Sequence, residues 1–304
     1  YGIYAEGIWD FHPVTLTTGL RYDHFKVNTS GHTSASDGNI NPSLGLIYDV
    51  TDNLSLKASH SYATRSPRLY ESMLASSRNI VTAPNLKAER SRTTEIGFNY
   101  RPIQDMSLTG SYFWQKINNV HDFTCLSGSC AGGRSTYTSG ITQSTNNGYI
   151  KNKGYEFGAN YRWGGLTARM GVAYSDPKHH YLFESYDINT KAHAVGRTWT
   201  AGLAYRFDKP NLEIGWRGRF VQARTGTPDR GASSNTIERR AGYGVNDIYA
   251  NWKPTGKDNL NINFAVNNIA NKYYYSHSQR SSSSSGNSLP EVGRDVRFAV
   301  NYKF

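Results

Sequence analysis

Two groups of residues carry side chains whose types and spacing could do chemistry. His179, His180 and His193 fall in one polar stretch, SDPKHHYLFESYDINTKAHAV. Imidazole suits both iron and zinc, so the three form a candidate metal site. An exposed polar loop explains them equally well. Cys125 and Cys130 frame the segment CLSGSC and are the only two cysteines of the chain. Their closeness in a loop-like stretch predicts a local disulfide formed in an oxidising compartment. His121 stands nearby, and a metal site is the alternative reading. The serine run at 281–285 reads as a loop tip rather than a set of nucleophiles. No nucleophile–base arrangement and no phosphate-cradling glycine loop stands out, so the chain reads as not an enzyme.

The elements that must position these residues show one pattern almost everywhere. In LTTGLRYDHF, Leu16, Thr18, Leu20, Tyr22 and His24 alternate with Arg21 and Asp23. RTWTAGLAYRF sets Trp199, Ala201, Leu203, Tyr205 and Phe207 against Thr200, Gly202, Ala204 and Arg206, and LEIGWRGRF sets Leu212, Ile214, Trp216 and Phe220 against Glu213, Arg217 and Arg219. The final segment GRDVRFAVNYKF places Val296, Phe298, Val300, Tyr302 and Phe304 opposite Asp295, Arg297, Asn301 and Lys303. A period of two with one apolar and one polar face is the mark of strands standing between an apolar and an aqueous medium. In lipid such a strand must pair its backbone with a neighbour, because hydrocarbon supplies no hydrogen bonds.

Connections of two kinds alternate along the chain. Short ones carry turn chemistry at 12–13, 51–53, 103–105, 164–165, 208–211 and 255–259, and long ones are polar and rich in Gly and Ser. Short turns on one rim and long loops on the other predict an outer-membrane barrel. The 22 tyrosines among 304 residues fit interfacial girdles, as at Tyr161 with Trp163 and at Tyr273, Tyr274 and Tyr275. No apolar run is long enough for a spanning helix, and the opening YGIYAEGIWDF has no basic or apolar leader pattern. The net charge of +11 is spread along the chain rather than gathered in one helix or tail, which argues against a nucleic-acid partner. The alternation yields about thirteen strands, with the first and last running in the same direction. A closed antiparallel barrel does not allow that, so residues 1–304 read as the C-terminal part of a larger barrel, with earlier strands lying upstream.

ATRSPRLYES at 63–72 and APNLKAERSRTTEIGFNY at 83–100 resemble segments that TonB-dependent outer-membrane receptors place around one long external loop. FAVNNIANKYYYSHSQR and GRDVRFAVNYKF are similar to the penultimate and C-terminal strands of that family. GLRYDHFK, GYIKNKGYE, RSPRLYE and GVNDIYANWKP carry a nearer resemblance, to the iron-regulated ferric enterobactin receptors of the neisserial FetA/FrpB type. The resemblance implies an all-β transmembrane antiparallel β-barrel in the bacterial outer membrane, with about 22 strands around a plug. This chain would supply the C-terminal strands, and the N-terminal plug and the TonB-contacting segment would lie outside it. Ala83 stands where asparagine is commonest in the family, and Ala88 where proline is usual. Haem receptors of the wider family carry a histidine between the two motifs, whereas residues 65–90 contain none.

The resemblance implies import of an iron chelate, with iron as part of the transported ligand and no intrinsic cofactor. An iron–catecholate complex is compact, anionic and aromatic, so arginine forks and aromatic faces suit it. The candidate ligand residues are Arg65, Arg68, Tyr70 and Arg78 in the motif loop, with Tyr274, His277 and Arg280 in the penultimate loop. Binding of lipopolysaccharide, pairing with lumen acids or simple exposure to water are the other roles open to them. Phe298, Tyr302 and Phe304 mark the strand that the barrel assembly machinery would handle. Haem or bare iron is the nearest alternative ligand. An autotransporter translocator and a passive porin are the alternatives of other classes.

Overall fold

The computed structural model describes residues 1–28, 34–68, 80–128, 140–183, 195–225, 239–278 and 289–304. Thirteen strands form one antiparallel path. They are β1 (Gly2–Phe11), β2 (Val14–Val27), β3 (Ala35–Thr51), β4 (Leu54–Arg65), β6 (Glu89–Ile103), β7 (Met106–Asn118), β10 (Tyr149–Trp163), β11 (Leu166–Ser175), β13 (Thr198–Phe207), β14 (Leu212–Val221), β17 (Tyr243–Trp252), β18 (Leu260–Asn267) and β19 (Asp295–Tyr302). Short strands fill the connections between them: β5 (Ile80–Thr82), β8 (His121–Ser127), β9 (Ile141–Asn146), β12 (Lys178–His180), β15 (Arg224–Thr225) and β16 (Arg239–Arg240). The path runs from β1 to β19, and each strand pairs with the next one on it. The six short turns expected from the sequence all close hairpins of this path, and all lie on one rim.

Register explains why the alternation matters. Residues directly opposite on paired strands share a face. Phe298 therefore lies beside Phe264, which lies beside Ala250, then Ile214, Tyr205 and Leu166. The row one step up the strands reads Val296, Val266, Ile248, Trp216, Leu203, Ala168 and Tyr161. Toward the other end of the sheet, Tyr100, Leu54 and Leu108 share a row, and so do Phe98, Leu56 and Tyr48. One face of the whole path is thus a continuous apolar belt. The intervening residues, Arg217, Arg219, Asn251, Asn263 and Arg297 among them, form the polar face.

The belt rings do not pack into a dry centre: Trp199 is 45% exposed, Leu203 49% and Phe298 68%. A face this apolar and this exposed is the face that hydrocarbon covers. Aromatic rings mark both of its ends, with Tyr155, Tyr174 and Trp199 at the loop end and Trp163, Phe207 and Trp252 at the turn end. The eight residue steps from Tyr155 to Trp163 span about 27 Å along the strand. At a tilt near 40° that is roughly 21 Å of height, close to the apolar band of about 25 Å in outer-membrane barrels. Gly110 lets two of the rings lie flat across the belt, since a Cβ there would stand 2.4 Å from Phe98 and 2.7 Å from Phe157.

At the loop rim the long polar connections contain regular structure of their own. β5, β9 and β8 form a three-stranded sheet, with β5 and β9 parallel. Residues buried among the described ones gather here, including Ala35, Ala83, Leu86, Ala88 and Val120. Between water and the lumen an exposed loop end cannot leave its backbone groups unpaired once it is covered, so these segments pair with one another.

Candidate ligand-binding site at the loop rim

The segment APNLKAE is a clamp. Leu86 and Ala83 pack against Ala35 at the start of β3. The Ala83 amide donates to the Ser144 carbonyl at 2.9 Å, joining the segment to β9. Lys87 and Asn146 exchange two bonds, the Lys87 amide to Asn146 Oδ1 at 2.8 Å and Asn146 Nδ2 to the Lys87 carbonyl at 2.9 Å. The Ala88 amide donates to Asp37 Oδ2 at 3.0 Å. Proline has no amide hydrogen, so this tie to β3 requires a residue other than proline at position 88.

Arg65, expected to meet ligand, is bound into the same clamp. Its Nε donates to Glu89 Oε2 at 2.6 Å, and Glu89 Oε1 accepts from the His121 amide at 2.8 Å. The His121 ring is 2% exposed, with Nε2 2.9 Å from the Lys87 carbonyl. A carbonyl only accepts, so Nε2 carries the proton and Nδ1 accepts from Arg65 Nη2 at 3.2 Å. Next to it Asn147, fully buried, bonds Asp122 Oδ2, the Phe183 carbonyl and the Leu182 amide. Arg65 thus fastens the motif loop to the β7–β10 connection.

His277 plays a comparable part on the other side of the rim. It is 1% exposed. Its Nδ1 accepts from the Gly196 amide at 3.1 Å, and Nε2 donates to the Ala241 carbonyl at 2.9 Å. Both ring nitrogens are committed to backbone, so this histidine staples three connections together rather than reaching for a ligand. Gly196 is required there, because a Cβ would fall 1.9 Å from the Gln222 carbonyl oxygen.

Tyr274 sits beside an exposed arginine. Its ring stacks on Tyr243 with centroids 4.5 Å apart, and its hydroxyl accepts from Arg219 Nη2 at 3.3 Å. The Arg219 guanidinium lies 5.8 Å from the Tyr243 centroid, and the side chain stays exposed on the polar face. Burial holds the Tyr274 phenol above its ordinary value, against the opposing pull of Arg219. Lower on the same face Arg217 sits 4.4 Å over Tyr249, near a hollow of about 290 Å3 lined by Asp247, Asn263, Asn267 and Arg297. A cation backed by stacked rings can grip an anionic, aromatic solute through charge and ring face together. Sequence reasoning named Tyr274 but not Arg219, Tyr243, Arg217 or Tyr249. The signal for the two arginines was their place on the polar side of LEIGWRGRF.

The remaining candidates are scattered. Arg68 lies beyond the end of β4. Tyr70, Arg78, Arg280, His193 and Cys130 fall outside the described residues. His179 and His180 are consecutive on β12 and so point to opposite faces. His179 Nε2 bonds the Asn147 carbonyl at 2.8 Å, while His180 stacks on Tyr149 at 4.7 Å. Among the described residues no group of three or more His, Cys, Asp or Glu side chains could hold a metal ion. Cys125 lies on β8 and is disulfide-bonded.

Comparison with known proteins agrees with this architecture. Residues 1–269 match the family model for the TonB dependent receptor-like β-barrel. The FrpB iron transporter from Neisseria meningitidis (F5-1 variant) is 46% identical, covers 100% of this chain and 45% of its own, and superposes with a TM-score of 0.86. The TonB-dependent heme receptor A of Haemophilus influenzae is 25% identical over 96% of this chain and 43% of its own length. The ferric enterobactin receptor of Pseudomonas aeruginosa, at 18% identity and a TM-score of 0.74 over 100% of this chain and 44% of its own, shares the fold. The chain spans less than half the length of these relatives. An exposed apolar belt, turns and loops segregated to opposite rims and the family match lead to one conclusion: the chain belongs to the TonB-dependent receptors and forms part of an outer-membrane β-barrel.

Proposed function

We propose that this barrel segment serves a TonB-energised importer of an iron chelate, with a ferric catecholate siderophore such as ferric enterobactin as the ligand class. On this reading residues 1–304 are the C-terminal part of the barrel, and the plug and TonB-contacting segment belong to a preceding part of the protein. The observation that carries the ligand class is the Arg219–Tyr274–Tyr243 group, where an exposed cation is held against stacked rings. Similarity to iron transporters supports import of iron, and similarity to curated haem receptors keeps haem as the second reading. Against haem, the buried rim histidines His121 and His277 each give both ring nitrogens to protein groups, so neither offers a free axial ligand.

The test uses the full-length receptor in an iron-starved host lacking other iron receptors. Growth on ferric enterobactin but not on haem is expected, and it should vanish without TonB. Arg219→Gln together with Tyr274→Phe should weaken chelate binding about tenfold or more while leaving the barrel folded. Growth on haem alone would overturn the ligand class.

A further inference from the structure

Arginines scattered over four strands of the polar face fall, through strand register, on successive levels of one wall. Arg219 of β14 stands directly opposite Thr200 of β13. One level down, Gly202 lies between Arg217 of β14 and Arg169 of β11. At the next level Ala204 is beside Thr167, and Thr167 is beside Arg162 of β10. Arg206 of β13 marks the level below that, next to the turn rim. Levels are two residues apart, so each step is about 7 Å along the strand. At a tilt near 40° the whole descent, from Arg219 to Arg206, is roughly 15 Å.

Arg162, Arg169, Arg206, Arg217 and Arg219 are all exposed. Among the described residues, none of the five lies within ion-pair distance of a carboxylate. Glu213 and Asp247 stand opposite Arg206 and Arg217. Asp247, however, accepts the Asn268 amide at 2.7 Å, and Arg217 turns to the Tyr249 ring instead. The cations continue past Arg206. Asp258, in the turn between β17 and β18, is held below the usual carboxylate range by Lys253, with Arg206 and Lys303 adding to the pull. The same face of β1, β2 and β3 has the opposite sign. It carries Glu6, Asp10, Asp23, Asp37 and Asp49, and its one basic residue, Arg21, is paired with Asp23 at 2.7 Å.

We propose that Arg219, Arg217, Arg169, Arg162 and Arg206 form a track on which an anionic cargo descends the bore along the wall from β10 to β14, handed from one cation to the next. The track deepens the reading of an importer for an anionic iron chelate and rests on that reading. A step of about 7 Å is shorter than the screening length of about 8 Å at physiological salt, so the fields of neighbouring steps overlap. A multiply charged anion therefore meets the next guanidinium before it leaves the last. Each step attracts the cargo without enclosing it, which is what conduction through a series of sites requires. The acids of β1, β2 and β3 repel the same cargo, so the passage is one-sided. Arg219, already part of the group with Tyr274, is the point of entry.

The experiment uses the full-length receptor in an iron-starved host, with ferric enterobactin as the probe. Binding is measured on chilled cells, where import stops, and import as the initial rate at saturating chelate. Arg162→Gln combined with Arg169→Gln should leave binding unchanged and slow import about tenfold. Arg162→Lys combined with Arg169→Lys should restore most of the rate, because the track needs charge rather than a particular fork. Lys57→Gln, on the polar face of β4, should have no effect. If the paired glutamine change costs the barrel its heat-modifiable mobility, each single glutamine variant should slow import in part. Normal binding with an unchanged import rate in the glutamine variants overturns the track alone. So does slowed import accompanied by entry of a bulky antibiotic that the intact outer membrane excludes, since the two arginines would then only hold the lumen closed. Wild-type cells that bind no ferric enterobactin would remove the ligand class, and the cargo of the track with it.

Discussion

Replacing His277 with alanine tests whether the loop rim is held by this ring. The substitution removes one acceptor and one donor from a site that is 1% exposed. The Gly196 amide and the Ala241 carbonyl would both be left without their partner. Each buried polar group so orphaned costs about 1–3 kcal/mol, so opening of this rim should become easier by about 2–6 kcal/mol. The edge-on contact of the His277 ring with Tyr243, 5.5 Å between centroids, is lost as well. Hydrogen exchange of the full-length receptor in detergent reads the effect directly. Even the lower figure predicts that the Gly196 amide exchanges roughly 30-fold faster, while amides of β6 and β7 keep their protection. His277→Asn, able to replace one of the two bonds, should fall between. Unchanged protection at Gly196 in the alanine variant would refute the staple.

Ala88→Pro should remove the tie to Asp37 and cost about 1.5–3 kcal/mol, the range for a hydrogen bond to a charged group. In an Asp37→Ala background the same change should cost almost nothing, and a double-mutant cycle on exchange at β3 measures the difference. Tyr274 gives a pH signature. Its phenol is raised in the folded protein, so the folded rim binds more protons than the unfolded one as pH climbs past the ordinary value of about 10. The contribution of Tyr274 is therefore fully present below that pH and declines above it, and alkaline melting of Tyr274→Phe should be flatter than that of the wild type.

The strands were legible because their residues alternate with a period of two, and because the turn and loop connections differ so much in length. Tyr205, Leu203 and Trp199 could be assigned to one face from RTWTAGLAYRF alone. The loop rim was less legible. Nothing local distinguishes His277 in YYYSHSQR from an exposed loop histidine, because its burial comes from Gly196 and Ala241, far away in the chain. Arg65 stood out as an arginine beside a rim motif, but its pairing with Glu89 is set by the register of β4 on β6 and cannot be read from the local segment. The closeness of Arg92, Lys116, Lys151 and Lys178 was hidden for a different reason: they become neighbours only through strand pairing.

The bond between the Ala88 amide and Asp37 has an evolutionary corollary. A proline at position 88 would hold the backbone by its own ring and leave the carboxylate nothing to receive there, whereas any other residue restores the donor. Positions 37 and 88 should therefore change together across related receptors, with acid at the first accompanying non-proline at the second. Residues 29–33 and 69–79 can diverge in sequence without removing either partner, because the pair joins the start of β3 to the residue just before β6.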